Sequence, residues 1–157
     1  MTEIISPNSI NIDFLEKILR NKLEIEVDPE LETNVVKSCE IVQKSAEGDL
    51  PVYGVNTGFG KLANKIIPSQ DREQLQKNLV LSHCAGIGEP LSEDVTRLMM
   101  VLKIISLSLG ASGVRWSTIK QIERIINSGI IPEIPHQGSV GASGDLAPLA
   151  HMAAVMI

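Results

Sequence analysis

The chain predicts a mainly α fold with minor β. Apolar residues return at helical spacing in one stretch after another, while alternating runs that would make strands are few and short. Gly and Pro collect between the helical stretches rather than inside them. A chain of 157 residues is long enough to bury one core and is ordinarily one domain.

The elements follow in order. Asn11 is placed to cap a helix in which Phe14, Leu15, Ile18 and Leu19 share a stripe. Residues 23–27 alternate and predict a short strand. Pro29 marks a helix start, Val35, Cys39, Val42 and Ala46 carry the spacing through Glu47, and Gly48 ends it. Residues 51–68, rich in Gly and Asn, read as a loop. Ser69 or Asp71 then opens a helix to about Cys84. Ser92-Glu93-Asp94 opens the next, to about Leu109. Val95, Leu98, Met99 and Leu102 form one stripe of it, but Met100, Val101, Ile104 and Leu107 fill its other sides. A helix apolar nearly all round is buried or waits for a partner. Residues 118–126 show a cleaner face of Ile119, Ile122 and Ile126, and residues 130–134 predict a short extended segment interrupted by Pro132. Asp145 is expected to open the last helix, with Pro148 at its fourth position.

Composition narrows the function classes. The formal net charge of −5 argues against a nucleic-acid footprint, and the basic residues are too dispersed to bind an anionic membrane. Residues 98–109, the most apolar run, are too few to span a bilayer and include Lys103. The first residues lack the basic and apolar regions of a signal peptide. Cys39 and Cys84 lack CxxC spacing and are expected to be reduced. A cytoplasmic protein is the expectation. The three histidines do not have metal-ligand spacing, so no metal site is expected.

The most informative stretch is Gly138-Ser139-Val140-Gly141-Ala142-Ser143-Gly144-Asp145-Leu146-Ala147-Pro148-Leu149-Ala150-His151-Met152. Ala142-Ser143-Gly144 is a tripeptide able to react with itself. Gly144 has no Cβ, so its nitrogen can approach the Ala142 carbonyl carbon. Ring closure there, with loss of two waters, makes a methylidene-imidazolone in which the Ser143 side chain becomes an exocyclic methylene. That group is an electrophile, which no unmodified side chain supplies. The plainer reading of Ala-Ser-Gly is a turn leading into a helix.

The surrounding sequence resembles the signature of the aromatic amino acid ammonia-lyases, the family of the histidine, tyrosine and phenylalanine enzymes. Tyr53-Gly54-Val55-Asn56-Thr57-Gly58-Phe59-Gly60 resembles the family's tyrosine loop. Gln76-Lys77-Asn78-Leu79-Val80-Leu81-Ser82-His83-Cys84-Ala85-Gly86-Ile87-Gly88 is most similar to the histidine-specific branch. The three blocks stand in family order, and the likeness runs from about Val52 to Ile157.

The resemblance implies the N-terminal domain of the aromatic amino acid lyase (aspartase/fumarase-like) fold, cut at the start of the central helical bundle. Residues 1–157 would then be a single N-terminal segment, incomplete at its C-terminus. It implies elimination of ammonia from L-histidine to give urocanate, with tyrosine as the alternative substrate. The cofactor would be the methylidene-imidazolone from Ala142, Ser143 and Gly144, with no dissociable cofactor. Tyr53 would take the β-proton. A phenol is largely protonated at neutral pH, so that role needs positive charge or amide dipoles nearby. Taken alone, a tyrosine is also an amphipathic packing residue. His83 would select the substrate ring, since an imidazole hydrogen-bonds a polar ring but strands a donor against phenyl. A histidine near a helix end is also commonly structural. Asn56, Thr57 and Gly60 would shape the tyrosine loop. Asp145 would cap the following helix or orient the cyclising peptide, and that helix's amides would favour negative charge beside the reactive tripeptide. His136 and His151 receive structural readings only. The partners implied are a small amino acid and copies of the same chain, as a homotetramer. An alternative of another class is a catalytically silent fragment that only folds or associates.

Overall fold

A computed structural model describes residues 2–7, 10–141 and 144–157. The chain begins with a strand that sequence periodicity did not announce. β1 (Thr2–Ile5) pairs in parallel with β2 (Glu24–Val27), and α1 (Ile12–Arg20) makes the crossover between them. Asn11 caps α1, its side chain accepting the Phe14 N–H at 2.8 Å. Ile5, Ile25 and Val27 turn inwards and are fully buried.

A two-stranded sheet leaves backbone groups unpaired at its edge. Here α5 (Trp116–Asn127) supplies them from side chains. Glu123 accepts the Val27 N–H at 2.8 Å, and the Asn127 amide both accepts from Ile25 N–H at 2.9 Å and donates to Ile25 O at 2.8 Å. Lys120 pairs with the same glutamate. β1 owes its existence to this tertiary setting, not to its own four residues.

α4 (Glu93–Ser108) is the centre of the core, packed against α1, α5 and α2 (Glu32–Glu47). Ser92 caps it by accepting the Val95 N–H. Its buried face is Arg97, Met100, Val101, Ile104 and Leu107, whereas Val95 and Leu102 are exposed. Arg97 is buried, and among the described residues it forms no ion pair. Its guanidinium donates to Ile126 O at 3.2 Å and to Leu23 O, and burial lowers its pKa. α5 begins two residues earlier than the sequence suggests, and Ile119, Ile122 and Ile126 are buried as its periodicity requires. α2 follows a short 3₁₀ turn (Pro29–Leu31). Of its expected stripe only Val35 is fully buried; Cys39, Val42 and Ala46 line an open cleft.

The remaining elements hold the candidate site segments. α3 (Ser69–His83) has no fully buried residue and lies against α6 (Ala147–Ala154). Residues 130–134 form no strand. The strand comes just after them, as β4 (Pro135–Gln137), antiparallel to β3 (Ile87–Pro90). β5 (Val140–Gly141) and β6 (Gly144–Asp145) form a second antiparallel pair. No described helix is long and apolar enough to cross a membrane.

Candidate active site

The segment before α6 is organised by one carboxylate. Asp145 Oδ1 accepts the Ser139 N–H at 3.1 Å and the Ala147 N–H at 3.0 Å, joining the chain before Ala142-Ser143-Gly144 to the helix after it. A Cβ on Gly138 would overlap this carboxylate, so a larger residue there would have to displace the Asp145 side chain. Asp145 does not open the helix, contrary to the sequence expectation. It belongs to β6, Leu146 is the cap position, and Pro148 falls in the first turn, where its missing N–H costs nothing. Gly144 has φ +96° and open space around its Cα, so backbone conformation rather than crowding requires glycine. Ala142 and Ser143, the other two members of the expected electrophile, lie outside the described residues. The pairing of Gly141 with Gly144 brackets them, and Asp145 ties the residues on either side.

His83 ends α3 and is half-buried. Its Nδ1 lies 2.7 Å from Leu79 O, an atom that only accepts, so Nδ1 carries hydrogen and donates. In the neutral ring Nε2 is then the acceptor. Ser82 also donates to Leu79 O, at 3.0 Å.

The tyrosine loop is held from within by Asn56, which is fully buried. Its Oδ1 accepts the Val52 N–H at 2.7 Å, and its Nδ2 faces Leu50 O at 2.9 Å with Gly48 O and Ser45 O slightly farther. Thr57, also buried, donates to Gly58 O at 2.9 Å. Gly60 has φ +56° and starts a 3₁₀ turn (Gly60–Leu62). Arg72 anchors the loop's far end, donating to Ile67 O and Ala46 O. Tyr53 is 63% exposed, its ring meeting Phe59 edge-on at 5.7 Å between centroids.

The chain just after His83 is held against α6 and β4, through Gly86 N–H on His151 and Ile87 beside Gln137, while the loop of Tyr53 is anchored near the opposite end of α3. Among the described residues, no three His, Cys, Asp or Glu side chains are grouped to hold a metal ion.

The family model for aromatic amino acid lyases matches residues 10–157. The chain belongs to the aromatic amino acid lyase family. It is 36% identical to a histidine ammonia-lyase from Trypanosoma cruzi, with a TM-score of 0.87 over 99% of this chain and 29% of that one. It is 32% identical to a tyrosine aminomutase from Streptomyces globisporus, with a TM-score of 0.90 over 100% of this chain and 29% of the other. A phenylalanine aminomutase from Pantoea agglomerans is 31% identical, with a TM-score of 0.87 over 96% and 29%. The lyase segment therefore spans less than a third of the length of these structures, and they differ among themselves in substrate and in reaction.

Within the lyase segment, two groups escaped sequence reasoning. Gly138 and Arg72 hold the functional loops, but a glycine's need for close approach and an arginine's choice of carbonyls depend on neighbours distant in the chain. The only signal for Gly138 was its place in a glycine-rich run.

Proposed function

We propose that this chain is the N-terminal segment of a longer histidine ammonia-lyase, which converts L-histidine to urocanate and ammonia as a cytoplasmic homotetramer. What supports the reading is that the residues just after His83, whose Nε2 is its accepting atom, are bonded to both flanks of the Ala142-Ser143-Gly144 segment, Ile87 pairing with Gln137 and Gly86 N–H donating to His151. The methylidene-imidazolone made from that tripeptide supplies an electrophile for covalent catalysis, which divides a difficult elimination into easier steps. Gly144, already at positive φ, contributes the unhindered nitrogen for the ring, and Asp145 fixes the stems on both sides.

The side chains have separable tasks. His83 Nε2 accepts from the N–H of a substrate imidazole, a contact that phenyl does not offer. Tyr53 takes the β-proton, and its exposed ring on an internally braced loop leaves the phenol oxygen accessible. Asn56, Thr57 and Gly60 keep that loop in shape, and other binding residues come from regions outside this segment. A second reading, action on tyrosine, is favoured by the likeness to the Streptomyces globisporus enzyme.

Intact mass and substrate comparison test the proposal together. The complete enzyme is expected to lack two waters, Ser143→Ala to regain them and lose elimination, and L-histidine to be preferred over L-tyrosine. An unmodified, fully active enzyme would sink the electrophile, and preference for tyrosine would select the second reading.

A further inference from the structure

His151 has no task in the chemistry above, yet its ring is engaged. From α6 its Nε2 accepts the Gly86 N–H at 3.1 Å. A neutral imidazole accepting there carries its hydrogen on Nδ1. Gly86 lies just beyond His83 in the chain. A Cβ on Gly86 would stand 3.1 Å from His151 Nε2 and 3.1 Å from Pro135 Cβ, tighter than ordinary contact, so a side chain there would push His151 or Pro135 back by a few tenths of an ångström.

The geometry gives this contact a task. Cys84, the residue just after α3, has φ −74° and ψ 61°, neither helical nor extended, so the helix does not itself set the path of the next residues. With no fully buried residue, α3 also lacks a deep core contact to fix its position. Its C-terminal end depends on what holds residues 84–90. On one side that is β4, where Ile87 pairs with Gln137 and His136 Nδ1 donates to Glu89 O at 2.7 Å. On the other side it is His151. One anchor precedes the reactive tripeptide in sequence and the other follows it.

We propose that His151 is a positioning residue: by holding the Gly86 amide it fixes the His83 end of α3 relative to the 138–147 segment, and so sets how tightly the substrate ring is bound. The inference rests on the proposed roles of His83 and the tripeptide. His151 itself does not touch substrate.

The test uses the complete enzyme with His151→Phe, which keeps a planar ring without the acceptor, and His151→Gln, which keeps an accepting oxygen. Losing one hydrogen bond of this kind is worth roughly five- to tenfold. His151→Phe is expected to speed amide exchange in peptides covering residues 84–90 and to raise KM for histidine by that factor. Its kcat should change less than about twofold, within the scatter of a binding-only effect, and its mass should still lack two waters. His151→Gln should recover most of both losses. Gly86→Ala should resemble His151→Phe, and the double variant should add little. Unchanged exchange in His151→Phe overturns the clamp, and faster exchange with normal KM overturns its role in binding. A wild-type enzyme that is unmodified and inactive on histidine overturns the reading of the site instead, and exchange at residues 84–90 still reports the clamp.

Discussion

Tyr53 and His83 are the residues on which the proposed chemistry turns, and each can be changed by few atoms. Tyr53→Phe removes one oxygen and keeps the edge contact with Phe59, so folding and the mass deficit of two waters should survive. Loss of a positioned base costs about 10² to 10⁴-fold in kcat. Near-normal turnover would assign proton removal to another group. His83→Leu strands the polar substrate ring and should lower kcat/KM for histidine by about ten- to a hundredfold, a penalty typical of an unpaired buried donor. Its effect on phenylalanine should be smaller. Equal losses on both substrates would make His83 structural, consistent with its Nδ1 bond to Leu79 O being its whole task.

Among the elements, the tyrosine loop is the most sharply testable. Asn56 has no exposed surface and meets one N–H and up to three carbonyls. Asn56→Ala leaves Val52 N–H and Leu50 O without their partner and should destabilise by about 2–3 kcal/mol, with faster proteolysis between residues 48 and 60. Asn56→Asp should be no milder despite its shape. Its carboxylate keeps the bond from Val52 N–H but turns an acceptor towards acceptor oxygens. Thermal denaturation of the three proteins decides it. α4 offers a parallel contrast of faces. Ile104→Ala opens a cavity at a fully buried site and should cost about 2–5 kcal/mol, whereas Leu102→Ala, at a position 43% exposed, should cost less than about 1 kcal/mol in this chain.

For the molecule as a whole, the exposed apolar residues matter most. Leu102 and Val95 on α4, Leu81 on α3, and Leu149 and Val155 along and just after α6 all carry substantial exposed surface. Exposed apolar residues that meet in one patch drive association, and catalysis depends on contacts that orient the substrate. The 157-residue chain by itself is therefore expected to associate and to show no turnover of L-histidine, as followed by urocanate absorbance. Sustained turnover would show that it is self-sufficient.

The sequence by itself determined the helices and the family. Asn11 and Ser92 read as caps because capping is local, and α5 read cleanly because its isoleucines face a single core. Tyr53, His83 and Ala142-Ser143-Gly144 are candidates because each lies in a contiguous motif that resembles the family's. Among the strands, β2 was legible in the alternation of residues 23–27, and the others were not. β1 and β3 carry no alternation of their own. β1 lies beside a strand whose free edge α5 fills with Glu123 and Asn127, and β3 exists because residues 135–137 come alongside. The start of α6 was misplaced by two residues for a related reason. The Asp145 carboxylate serves two amides, and only the folded backbone brings Ser139 to it. Likewise the sequence offered His151 as one more helical residue, and its bond to Gly86 spans 65 positions. Periodicity and capping depend on residues within a turn or two, so a chain displays them directly. Edge pairing, close approach at glycine and the choice of a hydrogen-bond partner depend on which distant segments meet, and that is decided when the core forms.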